Sequence, residues 1–175
     1  TETQGDINGD GKITYIMCTG APENIDAQYR TEYSIKALTD AGKEVECLYE
    51  YLDNWDQTTA QQDVANSLSQ YGDKIEVVFC NNDAMALGAL QSIQQAGRTV
   101  GKDIYLVGVD ALAEAVQDVL DGNMTGTVLN DAKGQATQAV ECMEELLGGK
   151  TYAAGEQSDY VDYVKVTPDN VKDFQ

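Results

Sequence analysis

Short apolar runs alternate with segments of helical periodicity along the chain. Runs typical of strands occupy residues 13–18, 45–51, 75–80, 104–109 and 125–129. Between and after them, apolar residues recur at helical spacing over about 26–41, 58–71, 82–97, 112–120 and 132–147. This alternation predicts right-handed βαβ units and an α/β fold, a three-layer Rossmann-like (flavodoxin-type) parallel sheet with helices on both faces. The remaining tail predicts one or two strands and a short helical turn after Pro168.

The first predicted helix has Tyr29, Tyr33, Ala37 and Leu38 on one side, which we expect to face the sheet. Ligands of parallel sheets bind at the carboxyl ends of the strands, so the residues that follow each strand are the candidate site. These segments are all polar and none has the glycine-rich form that cradles a phosphate; they are 19–30, 53–56, 81–83, 110 and 130–131. The pattern favours a neutral, hydroxyl-rich ligand.

Composition narrows the functional classes. The 175 residues hold 30 Asp and Glu against 11 Lys and Arg, a net charge of −19, which repels nucleic acid and anionic lipid. The absence of His excludes Ser-His-Asp and Cys-His catalysis. No apolar stretch is long enough to span a membrane. The four cysteines lie far apart without a C-x-x-C pair, which favours packing roles and leaves a disulfide open.

A segment near the N-terminus, DINGDGKIT, matches the first nine positions of an EF-hand calcium loop. Asp6, Asn8 and Asp10 place side-chain oxygens at positions 1, 3 and 5, and the carbonyl of Lys12 adds position 7. The match ends at position 12, where Met17 stands inside a predicted strand in place of a bidentate Glu. The loop therefore predicts a calcium site. Either a carboxylate from another part of the chain completes this site, or the site binds calcium weakly. A dockerin-like module would need a second loop and following helices.

Six segments, which together cover nearly the whole chain, match the pattern of a known family in the same order. They are DINGDGKI, APENIDAQYR, NWDQ, KIEVVFCNNDAMALGAL, VGVDALAEA and GTVLNDAKGQA. As a set they resemble the galactose/glucose-binding family of periplasmic solute-binding proteins, which belong to type I. The resemblance implies that this chain forms one lobe of such a protein.

The resemblance also implies a calcium ligand set. Glu76, at the start of the third strand, matches the family residue that supplies the missing bidentate carboxylate. Thr14 stands where the family has Gln, and its shorter side chain needs a bridging water. The implied Ca²⁺ ligands are Asp6, Asn8, Asp10, Lys12, Thr14 and Glu76.

By the same resemblance, a monosaccharide binds at the strand ends. Trp55 would cover one face of the pyranose ring, and planar polar side chains would bind neighbouring hydroxyls. The implied sugar ligands are Asn24, Asp26, Arg30, Trp55, Asn82, Asp110 and Asn130. Asn24 replaces a family His, which leaves the choice among galactose, glucose, a related pentose or a glycoside open. Taken singly, Asp26 and Asn82 also suit helix N-caps, and Trp55 suits a core position.

Family members are nearly twice as long and have two lobes. The resemblance assigns 1–131 and 162–175 to the C-terminal lobe, and 132–161 to a crossover segment that packs in the N-terminal lobe, whose first part is absent here. We therefore expect the helix of the crossover segment to lack its native partner, which favours a domain-swapped or otherwise associated dimer. A single lobe leaves half of the sugar in water, so we expect millimolar or weaker affinity.

The function implied is that of a calcium-containing hexose-binding protein, not an enzyme. It would deliver sugar to the permease of an ABC transporter and also to a chemoreceptor, from a periplasmic or extracellular, lipoprotein-anchored position. Nucleic-acid binding and membrane insertion are not expected. The alternative is the effector-binding domain of a LacI-type regulator, which shares this fold but has no evident use for a calcium loop. An enzyme on this sheet would need a nucleophile beside a base, and the sequence shows none.

Overall fold

Four parallel strands form the central sheet of the computed structural model, which describes residues 5–153 and 160–175. The spatial order is β2-β1-β3-β4, so the connections run outward in both directions from β1 and β3. The strands are β1 (Lys12–Thr19), β2 (Glu44–Leu52), β3 (Val77–Cys80) and β4 (Tyr105–Val107). The helices are α1 (Ile25–Asp40), α2 (Gln57–Tyr71), α3 (Asp83–Gln95), α4 (Ala113–Leu120) and α5 (Ala132–Leu147). The predicted α/β fold is confirmed.

Both faces of the sheet are covered, because alternate residues of each strand point to opposite sides. Ile16 and Cys18 of β1 join the larger core cluster, which also contains the inner faces of α2, α3 and α4. Tyr15 and Met17 join the smaller cluster on the opposite face, where Leu38 of α1 packs. The nearly continuous apolar character of β1 and β3 follows from this burial on both faces.

The fifth predicted strand pairs differently from the expectation of an all-parallel sheet. The strand β5 (Thr127–Leu129) forms an antiparallel pair with β6 (Val164–Val166), from the C-terminal tail. Single parallel bridges from Val107 to Gly126 and from Asp110 to Leu129 place β5 beside the end of β4. The predicted tail strand is therefore present as β6, which pairs with the free edge of β5. A 3-10 helix, Val171–Phe174, follows Pro168 as predicted.

The apolar side predicted for α1 is not buried as expected. Tyr29 and Tyr33 are more than half exposed and contact each other edge to face, with ring centroids 5.6 Å apart. Ala27 is the buried residue of this helix. Leu38 packs against the sheet as predicted, on the same face as Ala27, whereas the two tyrosines lie outside that face.

The helix α5 has no buried residue. Val140, Met143, Leu146 and Leu147 are each at least half exposed. The assignment of residues 132–161 to a crossover segment stays a prediction, and its predicted strand falls partly on residues 154–159, outside the described residues.

The four cysteines are all free thiols. Cys18 and Cys80 are buried side by side in the register of β1 and β3, where hydrogen bonding between them and burial raise the pKa of Cys18. Among the described residues, no helix has both the length and the apolar character needed to cross a bilayer.

Candidate functional site

The carboxyl ends of β1 and β3 form the crevice at which the strand order reverses direction. Asn81, directly after β3, is 1% exposed and joins the two strand ends. Its side-chain oxygen accepts a hydrogen bond from the amide of Gly20 (3.0 Å), and its side-chain nitrogen donates to Thr31 of α1 (3.1 Å). Ligands of open parallel sheets bind at this switch point. The structure thus places a fixed polar residue at the centre of the predicted rim.

Arg30 of α1 reaches over this crevice and makes most of its contacts there. Its Nη1 donates to the backbone carbonyl of Asn81 (2.9 Å) and lies 3.3 Å from a carboxylate oxygen of Asp110. Its Nη2 donates to the hydroxyl of Tyr163 (3.3 Å). The guanidinium also lies 5.8 Å from the ring centroid of Trp55, within cation–π range. Its Nε is buried without a hydrogen-bond partner in the described part of the chain.

Trp55 follows β2 in a tight turn where Asn54 and Trp55 both have left-handed backbones, with φ of 51° and 69°. Residues other than glycine adopt this region at a cost of about 1–3 kcal/mol, and such strain concentrates at functional sites. Gly20 allows the indole to lie against β1, since a Cβ there would stand 2.1 Å from the ring. The ring is half-buried and touches the core, so it combines the packing role with a position beside Arg30.

Asp110 follows β4 in a second strained turn. Its φ is 116° and that of Ala111 is 53°, again in the left-handed region. Besides Arg30, it contacts Asn130 after β5, whose side-chain nitrogen donates to it at 3.4 Å. The turns after β2 and β4 therefore bring Trp55 and Asp110 to the same guanidinium.

The two asparagines at helix starts serve as N-caps. The side chain of Asn24 accepts from the amide of Asp26 (2.8 Å), so Asn24, and not Asp26, caps α1. Asn82 caps α3 by accepting from the amide of Met85 (2.9 Å). Asp26 is left exposed in the first turn of α1.

The sugar-ligand residues predicted above thus fall into two groups. The structure brings Arg30, Trp55, Asp110 and Asn130 together through direct contacts, and Asp26 lines the same cleft as Arg30. It shows no contact of Asn24 or Asn82 with this group among the described residues, because their side chains hold helix caps.

Tyr163 and Asn81 also belong to the site. Asn81 lies in the candidate segment 81–83 but not among the implied sugar ligands, and Tyr163 was not predicted from the sequence. Tyr163 comes from the C-terminal tail and lies 5.9 Å from the guanidinium of Arg30. A cleft of about 330 Å³ runs beside them and is lined by Asp26, Tyr29, Arg30, Tyr33, Ser34, Val109, Val128 and Tyr163. No local signal identifies a tail tyrosine as a site residue. Asn81, by contrast, follows a buried strand directly, and segment 81–83 was a candidate on that ground.

Asp53 directly follows β2 and lies in the candidate segment 53–56, although it was not among the implied sugar ligands. It is fully buried, and neither carboxylate oxygen has a hydrogen-bond partner among the described residues. Burial raises the pKa of Asp53 to about 7, with the nearby Cys18 thiol counteracting part of this rise. Asp53 is thus a buried titratable group, with the Cys18 thiol as a neighbour, beside the turn that holds Trp55.

The calcium-like loop folds around its own backbone amides. Asp6 accepts from the amides of Gly9 (2.8 Å) and Gly11 (3.0 Å), and Asp10 accepts from that of Lys12 (3.0 Å). Asn8 accepts from the amide of Asp10 (2.8 Å). These bonds hold the three side-chain oxygens in a tight turn.

Glu76 lies directly against this loop, as the resemblance implied. It is 1% exposed, and its two oxygens accept from the amides of Ile7 (2.7 Å), Asn8 (2.9 Å) and Thr14 (2.9 Å). The Thr14 hydroxyl has a single proton and lies within hydrogen-bond distance of two acceptors, Glu76 (3.0 Å) and the carbonyl of Lys74. The buried carboxylate is therefore bound to the loop across a large distance in sequence.

Within residues 5–153 and 160–175, no group of three or more His, Cys, Asp or Glu side chains is arranged to hold a metal ion. The donors around the loop nonetheless suit calcium in kind, because they are all oxygens and include three carboxylates, Asp6, Asp10 and Glu76. None of the ion pairs recorded in these residues gives Glu76 a cationic partner. The residues present therefore fit a divalent cation chemically.

Comparison with known proteins identifies a family. Residues 5–151 match the model of the periplasmic binding protein domain. The chain is 39% identical over 176 aligned positions to the D-galactose/methyl-galactoside binding periplasmic protein MglB of Haemophilus influenzae, covering 97% of this chain and 52% of that protein. It is 35% identical to the D-allose-binding periplasmic protein of Escherichia coli over 65% of this chain and 37% of that protein.

Solved structures of solute-binding proteins share the fold. One from Actinobacillus succinogenes with bound D-allose superposes with a TM-score of 0.83 at 24% identity, over 97% of this chain and 58% of that one. One from Bacillus halodurans with bound myo-inositol gives 0.80 at 27% identity, over 95% and 55%. The chain spans about half the length of the relatives that it matches along nearly its whole length.

Proposed function

Because the chain belongs to the periplasmic binding protein family, we propose that it is part of a receptor for a hexose of the galactose or glucose type. The observation that supports this most directly is the group of Arg30, Trp55, Asp110 and Asn130 at the strand ends. The relative from Haemophilus influenzae carries D-galactose and methyl-galactoside in its name. The proposal is a binding function without catalysis.

The geometry suits recognition of adjacent hydroxyls by charged, planar groups. Asn81, Asp110 and Tyr163 hold the guanidinium of Arg30, which fixes the plane in which its N–H groups can donate to a sugar oxygen. Asp110 adds acceptors beside it, and charge-assisted hydrogen bonds of this kind contribute about 1.5–3 kcal/mol each. Trp55 offers an apolar face on which the C–H groups of a pyranose ring can pack.

We further propose that the loop of residues 6–14 binds Ca²⁺, with Asp6, Asn8, Asp10, Lys12, Thr14 and Glu76 as ligands. The buried Glu76, which makes no ion pair among the residues that the structure describes, supports this assignment. When bound, the ion would neutralise the carboxylates of Asp6, Asp10 and Glu76. The hydrogen bonds of Glu76 to the loop amides attach the loop to the start of β3. By mass action, calcium at 100–1,000 times its Kd would stabilise the fold by about 3–4 kcal/mol.

In this proposal the partner of the complete receptor is the permease of an ABC transporter, with a chemoreceptor as a second partner. Its place of action is the periplasm, or the outer surface of the cytoplasmic membrane when lipid-anchored. Closure of two lobes over a sugar excludes water, whereas this chain offers one face. We therefore expect millimolar or weaker affinity from the 175-residue chain itself.

The test is a titration with sugars followed by amide chemical shifts, because this method detects millimolar binding. D-galactose, methyl β-galactoside, D-glucose and D-allose should shift the amides of Trp55 and Asp110, and mannitol serves as the open-chain control. Arg30→Ala should abolish these shifts, while Lys36→Ala, at an exposed position of the same helix, should not. Absence of any shift up to about 100 mM sugar would overturn the assignment of a hexose.

A further inference from the structure

We propose that Asp83 is a positioning residue that fixes Asp110 in its binding geometry through Thr127. This inference rests on the proposed sugar site, to which Asp110 belongs. It adds a residue that neither contacts Arg30 nor lines the cleft in the described chain.

Asp110 needs external support because its backbone is unfavourable. Asp110 and Ala111 are consecutive non-glycine residues with φ of 116° and 53°. Two such residues in sequence persist only where surrounding contacts over-determine the turn. The contacts of the turn therefore decide where the Asp110 carboxylate lies.

Asp83 provides these contacts. It is fully buried at the start of α3, and its Oδ2 accepts from the amide of Leu112 at 2.8 Å. Its Oδ1 accepts from the hydroxyl of Thr127 at 2.7 Å, and that hydroxyl in turn accepts from the amide of Ala111 at 3.3 Å. One carboxylate thus holds both amides that follow Asp110, one of them directly and the other through Thr127.

The place of Asp83 is itself set by α3 and β4. Its amide donates to the carbonyl of Val109 at 2.7 Å, immediately before Asp110. Gly108 leaves room for the carboxylate, since a Cβ there would stand 2.3 Å from Oδ1. The turn is therefore attached to Asp83 on both sides of Asp110.

The charged form of Asp83 is the one present at neutral pH. Burial raises the pKa of Asp83 to about 6, and the hydrogen bonds from Thr127 and Leu112 oppose part of this rise because they stabilise the carboxylate. Asp110 is the charged neighbour that also raises it. Above pH 7 the side chain accepts on both oxygens, as the geometry requires.

Thr127 allows a test that leaves Asp83 itself in place. Thr127→Val removes the hydroxyl at nearly constant shape, and Thr127→Ser restores it. Ser92→Ala is the matched control, because the buried Ser92 hydroxyl donates to the carbonyl of Gln61 between α2 and α3, at 2.6 Å. All variants are made in the 175-residue chain and measured at pH 7.5.

In the sugar-free chain, we expect Thr127→Val to shift the amide resonances of Ala111 and Leu112. We also expect a change in the fluorescence emission of Trp55, the only tryptophan, because Asp110 no longer holds Arg30 in position beside it. Sugar affinity should fall at least about 10-fold. Thr127→Ser should restore all three readouts, and Ser92→Ala should leave them unchanged.

The inference is overturned if Thr127→Val lowers stability as much as Ser92→Ala but leaves the amides, the emission and the affinity unaltered. If the unsubstituted chain binds no sugar, the proposed function fails. The sugar-free amide and emission readouts then still decide whether Asp83 and Thr127 position Asp110.

Discussion

The Nη1 atom of Arg30 lies 3.3 Å from a carboxylate oxygen of Asp110, so the first helix and the loop after β4 meet at one ion pair. The side chains of Arg30 and Asp110 are 13% and 28% exposed, which weakens solvent screening of the pair. Both residues also contact further members of the site, Trp55 and Asn130. The pair therefore connects the part of the proposed sugar site that contains Trp55 with the part that contains Asn130.

Replacing Arg30 by Lys should separate charge from geometry. Lysine keeps the positive charge but loses the planar fork that reaches the Asn81 carbonyl, Asp110 and Tyr163 together. We expect Arg30→Lys to weaken galactose binding at least about 10-fold in a chemical-shift titration. Lys36→Arg, on the exposed side of the same helix, is the control. Unchanged affinity for Arg30→Lys would show that charge alone suffices.

Calcium should stabilise the chain if the loop binds it. We expect the melting temperature to rise by about 5–15 °C on replacing EDTA with millimolar calcium, from about 3–4 kcal/mol of linkage. Glu76→Gln should remove most of this rise, whereas Glu114→Gln, at an exposed position in α4, should keep it. Differential scanning calorimetry measures the shift. An equal response in both variants would contradict Glu76 as a ligand.

Asp53 should make stability fall as the pH rises. Its pKa is raised from 3.8 to about 7, so the folded chain keeps a proton that the unfolded chain has lost between these values. The resulting penalty grows from about pH 4 and is complete above pH 7. Asp53→Asn should therefore gain about 2–4 kcal/mol relative to the unsubstituted chain between pH 5 and 8.

Urea unfolding across that pH range measures this gain. Asp169→Asn, which removes one exposed negative charge, is the control for the change in net charge. A difference between Asp53→Asn and the unsubstituted chain that stays constant with pH would mean that Asp53 is ionised throughout.

The exposed apolar residues of α5 should promote association. Val140, Met143 and Leu147 are between 50% and 81% exposed on a helix without buried residues. We expect light scattering after size-exclusion chromatography to show a dimer whose fraction increases with protein concentration. Val140→Glu combined with Leu147→Glu should shift it to the monomer, and Glu141→Gln should not. A monomer at high concentration of the unsubstituted chain would contradict this expectation.

Several features were predictable because they depend on local spacing. Alternating apolar runs gave all five helices to within about two residues at each end, and α5 matches its predicted bounds of 132 and 147. The positions of Asp6, Asn8 and Asp10 follow from the loop pattern alone. The position of Glu76 against that loop came from the family resemblance and agrees with the structure.

Other features depend on contacts that no local pattern encodes. The sequence offered Asp26 as the cap of α1, but the extended backbone before the helix ends at Asn24, so that Asn24 takes this role. The antiparallel pairing of β5 with β6 depends on where the tail returns. The exposure of Tyr29 and Tyr33 depends on which side of α1 meets the sheet.

The α/β layers, the polar strand ends and the chemistry of the calcium-like loop follow from local patterns, because periodicity shows which residues are buried and which lie in turns. The meeting of Arg30, Asn81, Asp110 and Tyr163 at one point, and the burial of Asp53 and Asp83 beside them, become visible in the folded chain alone. Such convergence arises from strand register and helix docking between distant segments. These are long-range packing outcomes that the order of residues along each segment does not contain.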